Sequence, residues 1–221
     1  MHIGLLGGSF NPIHYCHLHI AEQAQAECKL DHILFIPTGD PPHKKSNSLA
    51  PAHHRLTMVH MALEAKPAFT ASDIEIRSPN VSYTVDTLTK LQDVHQDVTH
   101  WSFIIGLDAF LEFHTWKEAP RLLGLCNFIV CSRPDTNFTN ITSVSCLPPI
   151  SAQSLQNLEE GRIPKLVISL PTGKHLTLLS MPPCEASASL IRTYMQESRR
   201  VSHWLPPSVE SYILEHHLFQ A

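Results

Sequence analysis

Apolar positions in this chain fall into short runs separated by longer segments of helical period. The runs "HIGLL" (2–6), "HILFIP" (32–37), "FTASDIEI" (69–76), "WSFIIG" (101–106), "NFIVCS" (127–132) and "KLVISLP" (165–171) read as strands. Helical spacing of apolar residues marks "LHIAEQAQAEC" (18–28), "HRLTMVHMALEA" (54–65), "TVDTLTKLQDVH" (84–95), "SASLIRTYMQES" (187–198) and "PSVESYILEHHL" (207–218), the last two forming a helical C-terminal segment. Strands alternating with helices predict an α/β fold, in which crossover helices flank a parallel sheet. Residues 134–164 show little periodicity and many Ser, Thr, Asn and Pro, and so read as a long surface excursion. A length of 221 residues suits one domain spanning 1–221.

Composition adds exclusions. With 43% hydrophobic and 16% charged residues the chain has the balance of a globular protein. Its 20 acidic side chains outnumber 16 basic ones, for a formal charge of −4, so it lacks the basic excess that a nucleic-acid polymer demands. No run of about 18 apolar residues appears, which predicts no membrane span and a cytoplasmic protein. The six cysteines, at 16, 28, 126, 131, 146 and 184, form no C-x-x-C pair and are expected to be reduced thiols.

The densest chemistry lies in "LLGGSFNPIHYCHLH" (5–19). Gly7 and Gly8 close the first strand at the edge where open α/β sheets bind ligands, and His14 to His17 open the first helix. Glycine lets a ligand approach the backbone, while free N–H groups and a positive dipole end at the helix start favour phosphate. His14 and His17, three apart, share a helical face and can both donate to its oxygens. Neither G-x-x-x-x-G-K-[ST] nor G-x-G-x-x-G fits this stretch. Zinc is a rival reading, since His14, Cys16, His17 and His19 are potential ligands. Residues 16 and 17 lie about 100° apart on a helix, so the four cannot converge.

"GGSFNPIHYCH" resembles the G-G-[ST]-F-[DN]-P-x-H-x-G-H signature of nucleotidyltransferases. "PTGDPPHKK" (37–45), "SYTVDTL" (82–88), "IIGLDAF" (104–110), "FHTW" (113–116), "SRP" (132–134) and "SASLIR" (187–192) follow in the order found in bacterial nicotinate-nucleotide adenylyltransferases. The resemblance implies a Rossmann-like, doubly wound fold. It also implies Mg²⁺ and transfer of AMP from ATP to nicotinate mononucleotide, giving deamido-NAD and pyrophosphate. Three departures stand out: Cys16 occupies a family glycine, Ser9 replaces the commoner threonine, and "ASAS" (186–189) replaces I-S-S-T.

A phosphomonoester nucleophile, with a second pKa of about 6, is already ionised at neutral pH. Catalysis then reduces to aligning two phosphates and stabilising developing charge. His14, His17, Lys44 and Arg192 are the expected catalytic cations and N–H donors, with Mg²⁺ carried on the ATP phosphates and no protein metal site. The resemblance implies that Gly7, Gly8, Ser9, Phe10, Gly106, Asp108, Ser187 and Ser189 join His14, His17 and Arg192 in binding ATP. For the nicotinate nucleotide the candidates are Lys44, Tyr83, Thr84, Trp116 and Arg133. Thr84 reads as a helix N-cap that leaves N–H groups for a carboxylate, and Trp116 as a face for the pyridine ring. Cys16, beside imidazoles at a helix start, reads as the most reactive thiol.

The alternatives are an adenylyltransferase for nicotinamide mononucleotide or another phosphate acceptor, a zinc-binding interaction domain, and a nucleotide-binding regulator that has lost catalysis through Cys16. A homo-oligomer is compatible with the sequence.

Overall fold

The computed structural model describes residues 1–39 and 49–220. In chain order it runs β1 (His2–Gly8), α1 (Tyr15–Cys28), β2 (His32–Pro37), α2 (Ala52–Leu63), β3 (Phe69–Ala71), α3 (Thr84–Val94), β4 (His100–Gly106) and α4 (Leu107–Leu111). It continues with α5 (Ala119–Leu125), β5 (Asn127–Cys131), α6 (Ala152–Glu159), β6 (Lys165–Ser169), β7 (His175–Leu179), α7 (Ala188–Gln196) and α8 (Pro207–Glu215). The strands form one sheet in the order β3-β2-β1-β4-β5-β7-β6. β1 with β4, β2 with β3, β4 with β5 and β5 with β7 pair in parallel. β6 runs antiparallel to β7 at the edge. Continuous burial along β4 and β5 reflects helices covering both faces of a parallel sheet, while the alternating exposure of β6 is that of an edge strand. The α/β fold expected from the alternation of runs is the fold observed.

The chain divides into two compact units. The first comprises Met1–Leu6, Gln23–Asp31 and Tyr83–Pro183; the second comprises Gly7–Glu22, His32–Ser82 and Cys184–Ala221. The core of the first is built on aromatics: Phe110 stacks on Phe113 at 5.2 Å, and Phe113 meets Phe128 edge-on at 5.3 Å. In the second, Phe35 lies 5.8 Å from Phe10 and 5.7 Å from Phe69.

Several elements differ from the sequence expectation. β3 ends at Ala71, because Ser72 and Asp73 open a turn: the Ser72 hydroxyl accepts from Ile74 N and the Asp73 carbonyl from Arg77 N. β7, unforeseen, is the second arm of a hairpin. Its turn, 170–174, closes through Leu170 N to Lys174 O at 2.8 Å and places Gly173 at φ +79°. The stretch 134–164 is no mere surface excursion. A 3₁₀ turn over Phe138–Ser143 buries Phe138 and Ile141, and α6 buries Leu155 and Leu158. Among the described residues no helix is long and apolar enough to cross a membrane.

Candidate active site

In the second unit the chain leaves β1 at Gly8, whose carbonyl accepts from Thr38 N at 2.9 Å. Phe10 then takes φ 45°, a left-handed conformation that an aromatic residue holds only where its surroundings demand it. Here the surroundings are packing: its ring is buried, edge-on to His17 at 5.0 Å. A buried ring leaves Phe10 only its backbone to offer a ligand. His14 is buried and His17 half-buried, with ring centroids 3.8 Å apart. The His14 N–H donates to His17 Nδ1 at 3.3 Å, which makes Nε2 the protonated nitrogen of a neutral His17. The expectation of free N–H groups at this helix start is narrowed: Tyr15 N donates to Trp204 O, and His17 N and Leu18 N to His14 O.

α7 supplies the rest of this cluster. Ser187 is its N-cap, accepting from Leu190 N at 3.1 Å, and Ser189 lies in the first turn. Arg192 donates through Nη1 to Asn11 O at 2.8 Å and through Nη2 to Ser189 Oγ at 3.2 Å. Burial pulls its guanidinium below the ordinary arginine value, yet it stays cationic. Ser9, His14, His17, Ser187, Ser189 and Arg192 thus share one unit, with Arg192 bridging the β1–α1 loop and α7. Lys44 lies outside the described residues.

Two features of this cluster were missed in the sequence. Arg55 of α2 is fully buried and donates to three backbone carbonyls: Ala50 at 2.9 Å, Ser9 at 2.9 Å and Gly39 at 3.5 Å. Ala50 N in turn donates to Asn11 Oδ1 at 2.9 Å. The available signal was an arginine on the helical face formed by Met58, Val59 and Ala62. The second is a disulfide between Cys16 and Cys184, Cα atoms 5.8 Å apart. It overturns the reading of six reduced thiols and of Cys16 as the most reactive one. Spacing rules see local pairs, whereas these residues are 168 apart and meet only in the folded chain. It also removes Cys16 from any zinc set; among the described residues no group of three or more His, Cys, Asp or Glu could hold a metal.

The first unit gathers the remaining candidates. Gly106 ends β4 and precedes α4, where Asp108 lies in the first turn; Arg133 follows β5. Arg133 Nε sits 3.7 Å from Asp108 Oδ1. A Cβ on Gly106 would lie 2.6 Å from Arg133 Nε and collide with Asp108 as well, so only glycine lets the pair approach. The N-cap of α3 is Tyr83, in extended conformation; Thr84, expected in that role, is the first helical residue. No side chain caps this helix, which leaves the N–H groups of Thr84 and Val85 uncapped. Trp116 follows a 3₁₀ turn, half-buried, its ring 5.8 Å from Phe103 and 5.7 Å from Phe113. Lys117, also missed, ties Trp116 to α3: its Nζ lies 4.6 Å over the Tyr83 ring and 2.9 Å from Asp86 Oδ2. Its hydrogen bond to Asp86 raises the Lys117 pKa.

A family model described as cytidylyltransferase-like matches residues 5–194. A probable nicotinate-nucleotide adenylyltransferase of Pelobacter propionicus is 37% identical over 221 residues, covering 99% of this chain and 98% of that protein. One from a Thermoanaerobacter species is 34% identical, covering 100% and 95%. The fold resembles that of Plasmodium falciparum nicotinic acid mononucleotide adenylyltransferase complexed with NaAD, with a TM-score of 0.72, 20% identity and coverage of 99% and 97% of the two chains.

Proposed function

This chain belongs to the nicotinate-nucleotide adenylyltransferases of the cytidylyltransferase-like family, and we propose that it makes deamido-NAD and pyrophosphate from ATP and nicotinate mononucleotide, a step of NAD biosynthesis. The observation that carries the reading is the bridge of Arg192 to Asn11 O and Ser189 Oγ, in one unit with the paired imidazoles of His14 and His17. A guanidinium, two imidazoles and two hydroxyls make a donor set for triphosphate.

The acceptor phosphate attacks the α-phosphate of ATP, forming the new phosphoanhydride bond as the bond to pyrophosphate breaks. The nucleophile is ionised, so no side chain need remove a proton. His17, with Nε2 protonated, and Arg192 donate to oxygens whose charge grows in the transition state; fixed donors of this kind need no reorganisation when the charge appears. Arg55 holds the carbonyl of Ser9 and thereby the path of the loop. The donors of this cluster suit an anion rather than a bare cation, so Mg²⁺ belongs on the triphosphate, where it neutralises the outer phosphates. In the first unit, the uncapped N–H groups of Thr84 and Val85 suit the nicotinate carboxylate and the half-buried Trp116 its ring. Arg133 is a further acceptor contact, and Asp108 a partner for a ribose hydroxyl of ATP.

Pyrophosphate release from purified protein tests the reaction. Release should require ATP and nicotinate mononucleotide together, with deamido-NAD appearing in equal amount. Lack of product with both present would overturn the reading.

A further inference from the structure

The disulfide joins the two segments that the proposed reaction assigns to phosphate. Cys16 is the second residue of α1, between His14 and His17; Cys184 lies three residues before the Ser187 cap of α7. We propose that Cys16 and Cys184 form a reversible thiol–disulfide site through which dithiol reductants set the affinity of the protein for ATP. The inference rests on the ATP-dependent reading above.

The two sulfurs differ in access. Cys16 is 2% exposed, whereas Cys184 is only half-buried and next to the exposed Glu185. A reductant thiolate therefore attacks Sγ of Cys184, forming a mixed disulfide and expelling Cys16 as a thiolate, which takes a proton from solvent. The second thiol of the reductant closes on the first, leaves as a cyclic disulfide and releases Cys184, which is protonated in turn. Two electrons and two protons pass from the dithiol to the protein. Of the four free cysteines, Cys126 and Cys131 are buried, which pushes their thiols up to about 12, and desolvation also raises Cys28 and the exposed Cys146.

Reduction has unequal consequences on the two sides. Cys16 is fixed in a regular helix and stays in place. Residues 180–187 form no regular structure and include two prolines, so release of Cys184 frees the segment leading into Ser187. Ser189 and Arg192 follow directly, and Arg192 must reach Asn11 across from α7. The oxidised form holds these donors ready, while the reduced form orders them when ATP binds and so binds ATP more weakly. Linkage makes the effect reciprocal: ATP favours the disulfide by the factor by which the disulfide favours ATP.

The experiment compares fully oxidised protein with protein reduced by dithiothreitol, with the bond mapped by non-reducing mass spectrometry. ATP binding is measured by calorimetry and the KM values for both substrates by pyrophosphate release. Reduction should weaken ATP binding and raise the KM for ATP about fivefold, with a smaller change for nicotinate mononucleotide. Cys184→Ser should behave as the reduced protein and ignore dithiothreitol. ATP should also lower the midpoint of a glutathione titration by about 21 mV, the fivefold factor at about 30 mV per tenfold for a two-electron couple. Equal ATP binding in the two states, a midpoint indifferent to ATP, or a Cys184→Ser protein still sensitive to dithiothreitol would overturn the proposal. If deamido-NAD fails to form in either state, the proposed reaction falls, while ATP binding and the midpoint still decide the redox site.

Discussion

In the second unit the groups that the proposal assigns to phosphate have a fully buried arginine behind their loop; in the first, the groups it assigns to the acceptor sit half-exposed beside a surface ion pair. Arg55, fully buried, grips Ser9, Gly39 and Ala50, and Arg192 reaches Asn11 and Ser189. Tyr83 and Lys117 are exposed, and the Lys117–Asp86 pair is open to solvent on both sides. Charge-stabilising donors act only if they are already in place when charge develops, which demands a rigid backing. Reading a flat ring and a carboxylate asks less: an aromatic face and backbone N–H groups are planar or fixed by the helix they begin.

The comparison breaks first at Arg55. Arg55→Met removes the donor for three carbonyls, leaving that of Ala50 unpaired in a buried place and those of Ser9 and Gly39 in partly buried ones, where an unmet acceptor is worth about 1–3 kcal/mol when fully buried and less when not. The expected loss is roughly 3 kcal/mol of stability, or roughly 10 °C in Tm for a chain of this size, together with a raised KM for ATP. Thermal melts with kinetics decide it, and an unchanged Tm would mean that the loop holds without its backing. His17→Ala should show the opposite split. Its kcat should fall about a hundredfold, near 3 kcal/mol of transition-state stabilisation, with a Tm shift of only a few degrees. Near-normal turnover would return His17 to packing against Phe10.

In the first unit the effects should be smaller and fall on binding. Trp116→Ala should raise the KM for nicotinate mononucleotide about tenfold and leave the KM for ATP nearly unchanged. Equal changes in both would mean that the indole supports the fold through Phe103 and Phe113 instead. Lys117→Ala should cost less than about 1 kcal/mol, with an effect that fades in high salt, since both partners of its pair are exposed. A salt-independent loss would show that Lys117 touches substrate.

Legibility in the sequence follows the same division. The stretch 5–19 pointed to a phosphate site because glycines, a strand end and paired histidines sit within one short segment. Long periodic elements such as α2 and α3 were visible for a similar reason, since every turn repeats the pattern. α4 and α5, of five and seven residues, end before a period accumulates. β7 was hidden behind the "PTGK" turn, whose residues signal a hairpin only once a second strand is sought. Arg55 and the Cys16–Cys184 bond were missed because their meaning lies in partners distant in sequence: an arginine on an apolar face looks like a solvated one until the carbonyls around it are known. Tyr83 displaced Thr84 as the cap of α3 by one residue, a shift that propensity alone does not resolve.

The most direct test of the account is the ratio of kcat/KM for nicotinate mononucleotide to that for its amide, with ATP as co-substrate. The proposal pairs the donors at the start of α3 with a carboxylate, and an uncharged amide would leave them poorly matched. A preference for the acid of about a hundredfold or more is expected, from roughly 3 kcal/mol of unpaired donors. Equal values for the two acceptors would contradict the assignment of the first unit to nicotinate recognition.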